Sequence, residues 1–210
     1  GLSLSDGITY YTSVHAIDMA GNVSADTSTN GITIDMSPPT QGIVNDGEGD
    51  DIDRTTSFTT LSANWSGFDD PISGIAYFEY AIGTVSGDTN VVTWTTTGQN
   101  MFYSRDDLTL EADTVYYHSV RGHDVVGNTS TPVSSDGIIV DQSPPALLAV
   151  SPGDETLLSL TSDSEIIITF TEPIDTYELN IETDVTGDFA YDINHLEDSL
   201  LITLMSPLAS

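Results

Sequence analysis

The sequence predicts an all-β fold made of β-sandwich domains. Short runs rich in Val, Ile, Thr, Tyr and Trp recur along the chain, with Gly, Asp, Asn and Pro between them, which is typical of strands joined by turns. Apolar residues nowhere keep a helical period for three turns, so almost no helix is expected. Seven short strands within about 100 residues indicate a sandwich. We expect these strands near 42–45, 57–65, 74–82, 91–97, 100–105, 114–123 and 136–140.

One stretch of the chain occurs twice, at an offset of 106 residues. Residues 1–39 align without a gap to residues 107–145, with 17 identities. The identities include Tyr10/Tyr116, Asp18/Asp124, Gly21/Gly127, Asn22/Asn128 and Asp35/Asp141. Self-similarity of this length indicates tandem domains.

The repeat also predicts the domain boundaries. Residues 40–145 form one complete repeat, residues 1–39 form the C-terminal part of the copy before it, and residues 146–210 do not match it. Each repeat closes on a Pro-Pro pair that follows an apolar strand. Proline cannot continue a strand ladder, so these linkers are expected to be short and stiff.

Alternation along the strands identifies the inward-facing rows. Leu61, Ala63 and Trp65 alternate, which places Trp65 as the core aromatic of one sheet. A second row, Tyr116, His118, Val120 and Gly122, predicts that His118 is a hydrogen-bonded core imidazole and that the hydroxyl of Tyr116 bonds back to its loop. The D-x-x-G-N runs at Asp18 and Asp124 predict tight hairpin turns.

These motifs resemble those of fibronectin type III domains over residues 1–145. The shared pattern is L-x-A-x-W, then L-x-x-x-T-x-Y-x-x-x-V, then D-x-x-G-N, and it is most similar to bacterial surface-protein repeats with W-S-G-F-x-D-P-x-S-G-I and V-x-x-W-T-x-x-G runs. Ala112 stands where the family often has proline before the tyrosine corner. The resemblance implies tandem fibronectin type III-like sandwiches.

Residues 146–210 resemble a different kind of module. Their pattern S-P-x-D … I-x-I-x-F-T-E-P-I-D … L-x-I-x-x-x-S-P-L is similar to bacterial Ig-like domains of S-layer and adhesin proteins. The resemblance implies an Ig-like domain truncated at its C-terminus, so that the first and last domains are both incomplete. The alternative is that a neighbouring chain supplies the missing strands.

Composition excludes several classes of function. The chain has 33 acidic and three basic residues, a net charge of −30, no cysteine and no lysine. Such a negative surface repels nucleic acids and anionic membranes. Disulfides, thiolate metal sites and lysine isopeptide crosslinks are excluded outright. No motif for a catalytic nucleophile, a metalloprotease or a phosphate-binding loop occurs, so no enzymatic activity is expected.

The acidic loops offer one kind of site chemistry, which is calcium binding. The loop NDGEGDDID concentrates carboxylates between glycines, and calcium prefers six to eight oxygen ligands. In a type III sandwich this loop lies at the C-terminal end of its domain, where Asp141 and residues 172–175 would also lie. The candidate ligands are Asp46, Glu48, Asp50, Asp51, Asp53 and Asp141. The alternative is a solvated acidic loop that binds nothing.

A weaker set of candidate ligands lies at the opposite end of the repeat. Asp69 and Asp70 are expected near Asp35 of the preceding copy, where calcium would stiffen the junction. The alternative for Asp70 is a turn cap before Pro71.

Together these features predict a non-catalytic spacer in a long secreted protein of a bacterial cell surface or filament, with calcium as its one candidate ion. Its partners would be the neighbouring domains, or further copies joined through exchanged or edge strands.

The alternative is an adhesin or a carbohydrate-binding accessory module of a secreted enzyme, with a glycan or a host protein as partner. A glycan module would present exposed aromatics, for which Tyr77, Tyr80, Trp94 and Tyr103 are the candidates. The competing interpretation is that these rings pack in the core.

Overall fold

The computed structural model describes residues 1–153, 165–178 and 191–204. Every regular element in these residues is a β-strand. The chain divides into two compact units, Gly1–Gln142 and Ser143–Ser210. The fold is therefore all-β, as the sequence predicts, and residues 40–142 form a β-sandwich of the Ig-like and fibronectin type III-like class.

Within the described residues, no helix is long and apolar enough to cross a membrane.

Residues 1–39 form two short antiparallel ladders. The strands are β1 (Thr9–Tyr10), β2 (Ser13–Val14), β3 (Thr27–Ser28) and β4 (Ile32–Thr33), with β1 paired to β4 and β2 to β3.

Residues 40–142 form a sandwich of two sheets. The strands are β5 (Ile43–Asp46), β6 (Arg54–Thr55), β7 (Leu61–Ser66), β8 (Ile75–Gly83), β9 (Val92–Gly98), β10 (Phe102–Arg105), β11 (Val115–Asp124), β12 (Val133–Ser134) and β13 (Ile138–Val140). The smaller sheet has the order β10–β7–β5, and the larger has the order β6–β13–β11–β8–β9 with β12 also paired to β11. All pairs are antiparallel except β6 with β13.

The core lies between these two sheets. Trp65 is the core aromatic, as predicted, and meets Phe78 edge-on with ring centroids 5.9 Å apart. Tyr80 and Tyr103 stack at 3.9 Å; Tyr80 is buried, and Tyr103 is half-buried and packs against the core. Burial raises the pKa of the Tyr80 hydroxyl, because water no longer solvates the phenolate. The core also includes Val44, Leu61, Ala63, Ile82, Leu108, Leu110, Tyr116, Val120, Ile138 and Val140.

Two details of the strand prediction need correction. The strand expected from residue 57 begins at Leu61, because the Ser57 hydroxyl accepts the N–H groups of Thr59 and Thr60 and forms a turn. The two-residue strands β6 and β12 were not predicted. Such short pairings carry no alternation that a sequence pattern could reveal.

The hydrogen-bonded pairs of residues 1–39 recur in residues 107–145 at the same offset. Tyr10 pairs with Ile32 as Tyr116 pairs with Ile138. The surroundings differ, however: Val14 is 65% exposed, whereas its equivalent Val120 is fully buried. Among the described residues, no second sheet covers the apolar row of residues 1–39.

The two predicted local motifs are confirmed in both copies. The N–H of Ser5 donates to the Tyr10 hydroxyl oxygen, and the N–H of Glu111 donates to that of Tyr116, both at 2.9 Å. In the D-x-x-G-N turns, Gly21 and Gly127 have φ of 88° and 101°, a conformation that favours glycine.

The described part of the second unit is one antiparallel sheet. Its strands are β14 (Leu147–Ser151), β15 (Glu165–Phe170), β16 (Tyr191–Leu196) and β17 (Ser199–Leu204). Their order in the sheet is β14–β15–β17–β16, and Leu200 and Ile202 of β17 are buried. The Ig-like pattern predicted for 146–210 also spans 154–164, 179–190 and 205–210, which lie outside the described residues.

Candidate metal centre

Three aspartates converge where residues 1–39 meet the sandwich of residues 40–142. One carboxylate oxygen of each of Asp35, Asp70 and Asp124 lies within 4.8 Å of the other two. Asp70 and Asp124 are buried and Asp35 is half-buried. We call these three residues the junction carboxylates.

Asp70 is held by the turn that follows β7. Its Oδ1 accepts the N–H groups of Ile72 (3.0 Å), Ser73 (2.8 Å) and Gly74 (3.0 Å). Burial opposes ionisation, but these three donors outweigh it and lower the pKa of Asp70 below its usual value. The carboxylate is therefore pre-organised in its charged form.

Asp124 ends β11 and starts the D-x-x-G-N turn. Its Oδ1 accepts the N–H groups of Val126, Gly127 and Asn128, and its Oδ2 accepts the side-chain amide of Asn128 at 2.6 Å. The equivalent Asp18 makes similar bonds to its own turn but is exposed. The same motif therefore produces a buried carboxylate in one copy and a solvated one in the other.

Asp35 reaches the cluster from the segment after β4. Its Oδ1 accepts the N–H of Ser37 at 3.1 Å, while its Oδ2 is buried and has no hydrogen-bond donor. An unpaired buried oxygen is costly, so this carboxylate oxygen of Asp35 is available to a bound cation.

Further hydrogen bonds hold the segment around Ser37, where residues 1–39 meet the sandwich. The Asp6 carboxylate accepts the N–H of Met36 at 2.6 Å and the hydroxyl of Ser37 at 2.5 Å. These bonds lower the pKa of Asp6. The side-chain amide of Asn128 donates to the carbonyl of Ser37 at 3.3 Å. The bond from Asn128 thus links the sandwich to the end of residues 1–39.

Electrostatics make this cluster unfavourable without a cation. At an effective dielectric constant of about 20, two unit charges roughly 5 Å apart repel by about 3 kcal/mol. The three pairs among the junction carboxylates all fall within that separation. The donor set consists of oxygens only, which suits calcium or magnesium rather than zinc or copper.

Asp69 does not join the junction carboxylates. Its side chain is exposed, and it contributes its backbone carbonyl, which accepts the N–H of Thr40 at 2.8 Å. Of the weaker predicted set, the structure thus brings together Asp35 and Asp70.

The loop after β5 is arranged differently from the predicted cluster. Asp46 and Asp51 converge, but with Asp136 rather than with Asp141. Asp46 is fully buried; its Oδ1 lies 2.5 Å from Nδ1 of His118, and its Oδ2 accepts the N–H of Gly137 at 3.2 Å. Both oxygens of this carboxylate already have protein partners.

The remaining predicted ligands of this loop lie elsewhere. Asp141 pairs with Arg54 at 2.8 Å, and the carbonyl of Asp53 accepts the N–H of Ile139. Glu48 and Asp50 are exposed. The loop therefore does not gather the six predicted carboxylates.

Sequence reasoning missed Asp124 as a candidate ligand. The D-x-x-G-N motif predicts only a turn at this position, although Asp124 continues the inward row of Tyr116, His118, Val120 and Gly122 at the next alternate position. That alternation was the signal that its carboxylate faces inward. Asp136 had no comparable signal.

Comparisons with known proteins give two similarities. No family model matches the chain. The chain is 30% identical over 177 residues to exoglucanase B of Cellulomonas fimi, in an alignment that covers 77% of this chain and 14% of that protein. Among solved structures, the FN1–FN3 domains of chicken CNTN1 align with a TM-score of 0.33 and 15% identity, covering 92% of this chain and 66% of that one.

Proposed function

We propose that the chain is a non-catalytic spacer segment of a secreted cell-surface or filament protein, and that calcium stiffens its first junction. The observation that supports this proposal is the convergence of Asp35, from one side of the junction, with Asp70 and Asp124 from the other. A cation bound by all three would tie the two sides together.

The chemistry of the junction suits a stiff connection between neighbouring domains. Calcium accepts irregular sets of six to eight oxygens, so carboxylates, carbonyls and water can share one ion. The Pro38–Pro39 pair keeps the connection short. Without disulfides or lysine crosslinks, packing, proline linkers and an ion are the available means of stiffening the array.

Isothermal titration calorimetry of the whole chain with calcium tests whether the junction carboxylates bind the ion. Asp35→Asn and Asp124→Asn should each weaken calcium binding at least tenfold, because each removes a charged ligand but keeps an oxygen that can accept the local N–H groups. Asp18→Asn is the matched control, since Asp18 occupies the same turn outside the cluster, and it should leave binding unchanged. Equal melting temperatures in calcium and in EDTA, together with no heat of binding, would exclude a calcium site at the junction carboxylates.

Spin-label distances test the stiffening separately. The chain has no cysteine, so cysteines introduced at the exposed Met19 and Val85 would carry the only two labels. Calcium should narrow the distance distribution between them. A broad distribution that calcium leaves unchanged, in a chain that binds calcium, would contradict the spacer function while preserving the ion site.

A second candidate function is a carbohydrate-binding accessory module of a secreted enzyme. The similarity to exoglucanase B favours it, although the chain spans only 14% of that protein. On this candidate, a surface of the sandwich would contact a polysaccharide.

A further inference from the structure

Five side chains form a continuous strip on the outer face of the larger sheet. We call this set, which consists of Tyr77, Glu79, Trp94, Arg121 and His123, the outer strip. In the register of β8 and β11, Glu79 lies opposite Arg121 and Tyr77 lies opposite His123. Trp94 comes from the neighbouring strand β9. The strip therefore crosses three strands.

The polar centre of the strip is fixed by hydrogen bonds. Oε2 of Glu79 accepts Nε–H of Arg121 at 2.8 Å and lies 2.8 Å from Nε2 of His123. Nδ1 of His123 lies 2.9 Å from the Thr129 hydroxyl. Burial opposes ionisation of Glu79, but Arg121 and His123 outweigh it and lower the pKa of the carboxyl. These groups are pre-organised before any ligand arrives.

The two aromatic ends of the strip are also held in place. The Tyr77 ring stacks on the His123 ring at 4.3 Å, with 8° between their planes, and Tyr77 remains 38% exposed. Cζ of Arg121 lies 4.3 Å from the centre of the Trp94 ring, and Trp94 is half-buried. By contrast, Tyr80 and Tyr103 stack on each other and pack with the core, so they do not belong to this outer face.

Charge narrows the class of ligand. The chain carries three cations against 33 acidic residues, and Arg121 is balanced by Glu79 within the strip. The strip is thus a nearly neutral area on an acidic molecule. It offers no net attraction to an anion, and the surrounding charge repels anionic chains.

We propose that the outer strip binds a neutral polysaccharide. The exposed aromatic rings would stack on sugar rings, and the fixed polar groups of Glu79 and Arg121 would exchange hydrogen bonds with hydroxyls. The inference rests on the second candidate function and is independent of the calcium junction. It can therefore fail while the spacer function stands.

Tryptophan fluorescence provides a direct test on the unmodified chain. The chain has two tryptophans, and Trp65 is 3% exposed in the core. Quenching by acrylamide, which is uncharged and therefore not repelled by the acidic surface, reports chiefly on Trp94. We expect at least one of the hexasaccharides of cellulose, xylan, mannan and starch, at millimolar concentration, to protect Trp94 from acrylamide. If none does so, the proposal is overturned.

Variants then test whether the strip is the binding surface. Tyr77→Ala and Trp94→Ala should each lower affinity for the protecting hexasaccharide about tenfold. Tyr11→Ala, which removes a 65% exposed ring outside the strip, should leave affinity unchanged. Affinity is measured by calorimetry on variants that keep their cooperative thermal transition. Equal losses in all three variants, or none in the strip variants, would overturn the assignment.

Discussion

Tyr116 closes its loop through one hydrogen bond, which the N–H of Glu111 donates to its hydroxyl oxygen. Tyr116 is buried, so Tyr116→Phe removes the acceptor of that N–H and leaves an apolar ring edge in its place. We expect the free energy of unfolding to fall by about 1–2 kcal/mol. Tyr10→Phe is the matched control, because Tyr10 is only half-buried and water can replace the lost hydroxyl. If urea unfolding shows equal losses of free energy in both variants, burial of the tyrosine does not determine the cost of removing this hydrogen bond.

Glu79 gives a pH-dependent prediction at the same scale. Its pKa is lowered in the folded chain, so its charged form stabilises the fold above the unfolded pKa, and this stabilisation is lost as pH falls. Glu79→Gln should therefore lower the free energy of unfolding by about 1 kcal/mol at neutral pH. The difference from the parent chain should disappear between about pH 5 and pH 3. Glu48→Gln, at an exposed position, should show no such dependence.

Strands could be predicted from the sequence where alternation extends over several residues. On β7 the inward row Leu61, Ala63 and Trp65 is buried, and on β11 Tyr116, His118 and Val120 are buried, as alternation requires. β6 and β12 could not be found this way, because two paired residues define no period. Their pairing is set by the neighbouring strand, which is a tertiary effect.

The candidate site was predictable only in part for a related reason. Repeat symmetry placed Asp35 and Asp70 at one junction, but the ligand set also needs Asp124, from a strand distant in sequence. Asp46, predicted as a calcium ligand of an acidic loop, is the buried partner of His118. Composition shows that a loop is acidic, but it does not show which of its carboxylates is buried in the core.

The pair of Asp46 on β5 and His118 on β11 links the two sheets of the sandwich. Asp46→Ala would leave the buried imidazole of His118 and the half-buried N–H of Gly137 without these partners. We expect the free energy of unfolding to fall by about 3 kcal/mol, because each buried polar group that is left unsatisfied costs about 1–3 kcal/mol. Asp51→Ala, which removes a bond to the N–H of Asp46, should cost about 1 kcal/mol in the same urea titration. A small effect of Asp46→Ala would indicate that water enters the site.

At the scale of the whole molecule, the net charge of −30 opposes the compact state. Among the described residues, the three arginines pair with Asp141, Asp107 and Glu79, so most carboxylates have no cationic side chain nearby. Self-repulsion of this kind destabilises a folded chain. Salt weakens it, because the screening length falls from about 30 Å at 0.01 M to about 10 Å at 0.1 M.

We therefore expect the melting temperature in EDTA to rise by several degrees between about 0.01 M and 0.3 M sodium chloride. The change should be nearly complete at the upper concentration, where the screening length is already shorter than most distances between surface carboxylates. Calcium should add a further increase even in high salt, because buried ligands are screened far less than exposed charges. Asp35→Asn should abolish that second increase and leave the first. If sodium chloride alone raises the melting temperature as far as calcium does, calcium acts by general screening and the junction carboxylates hold no specific ion.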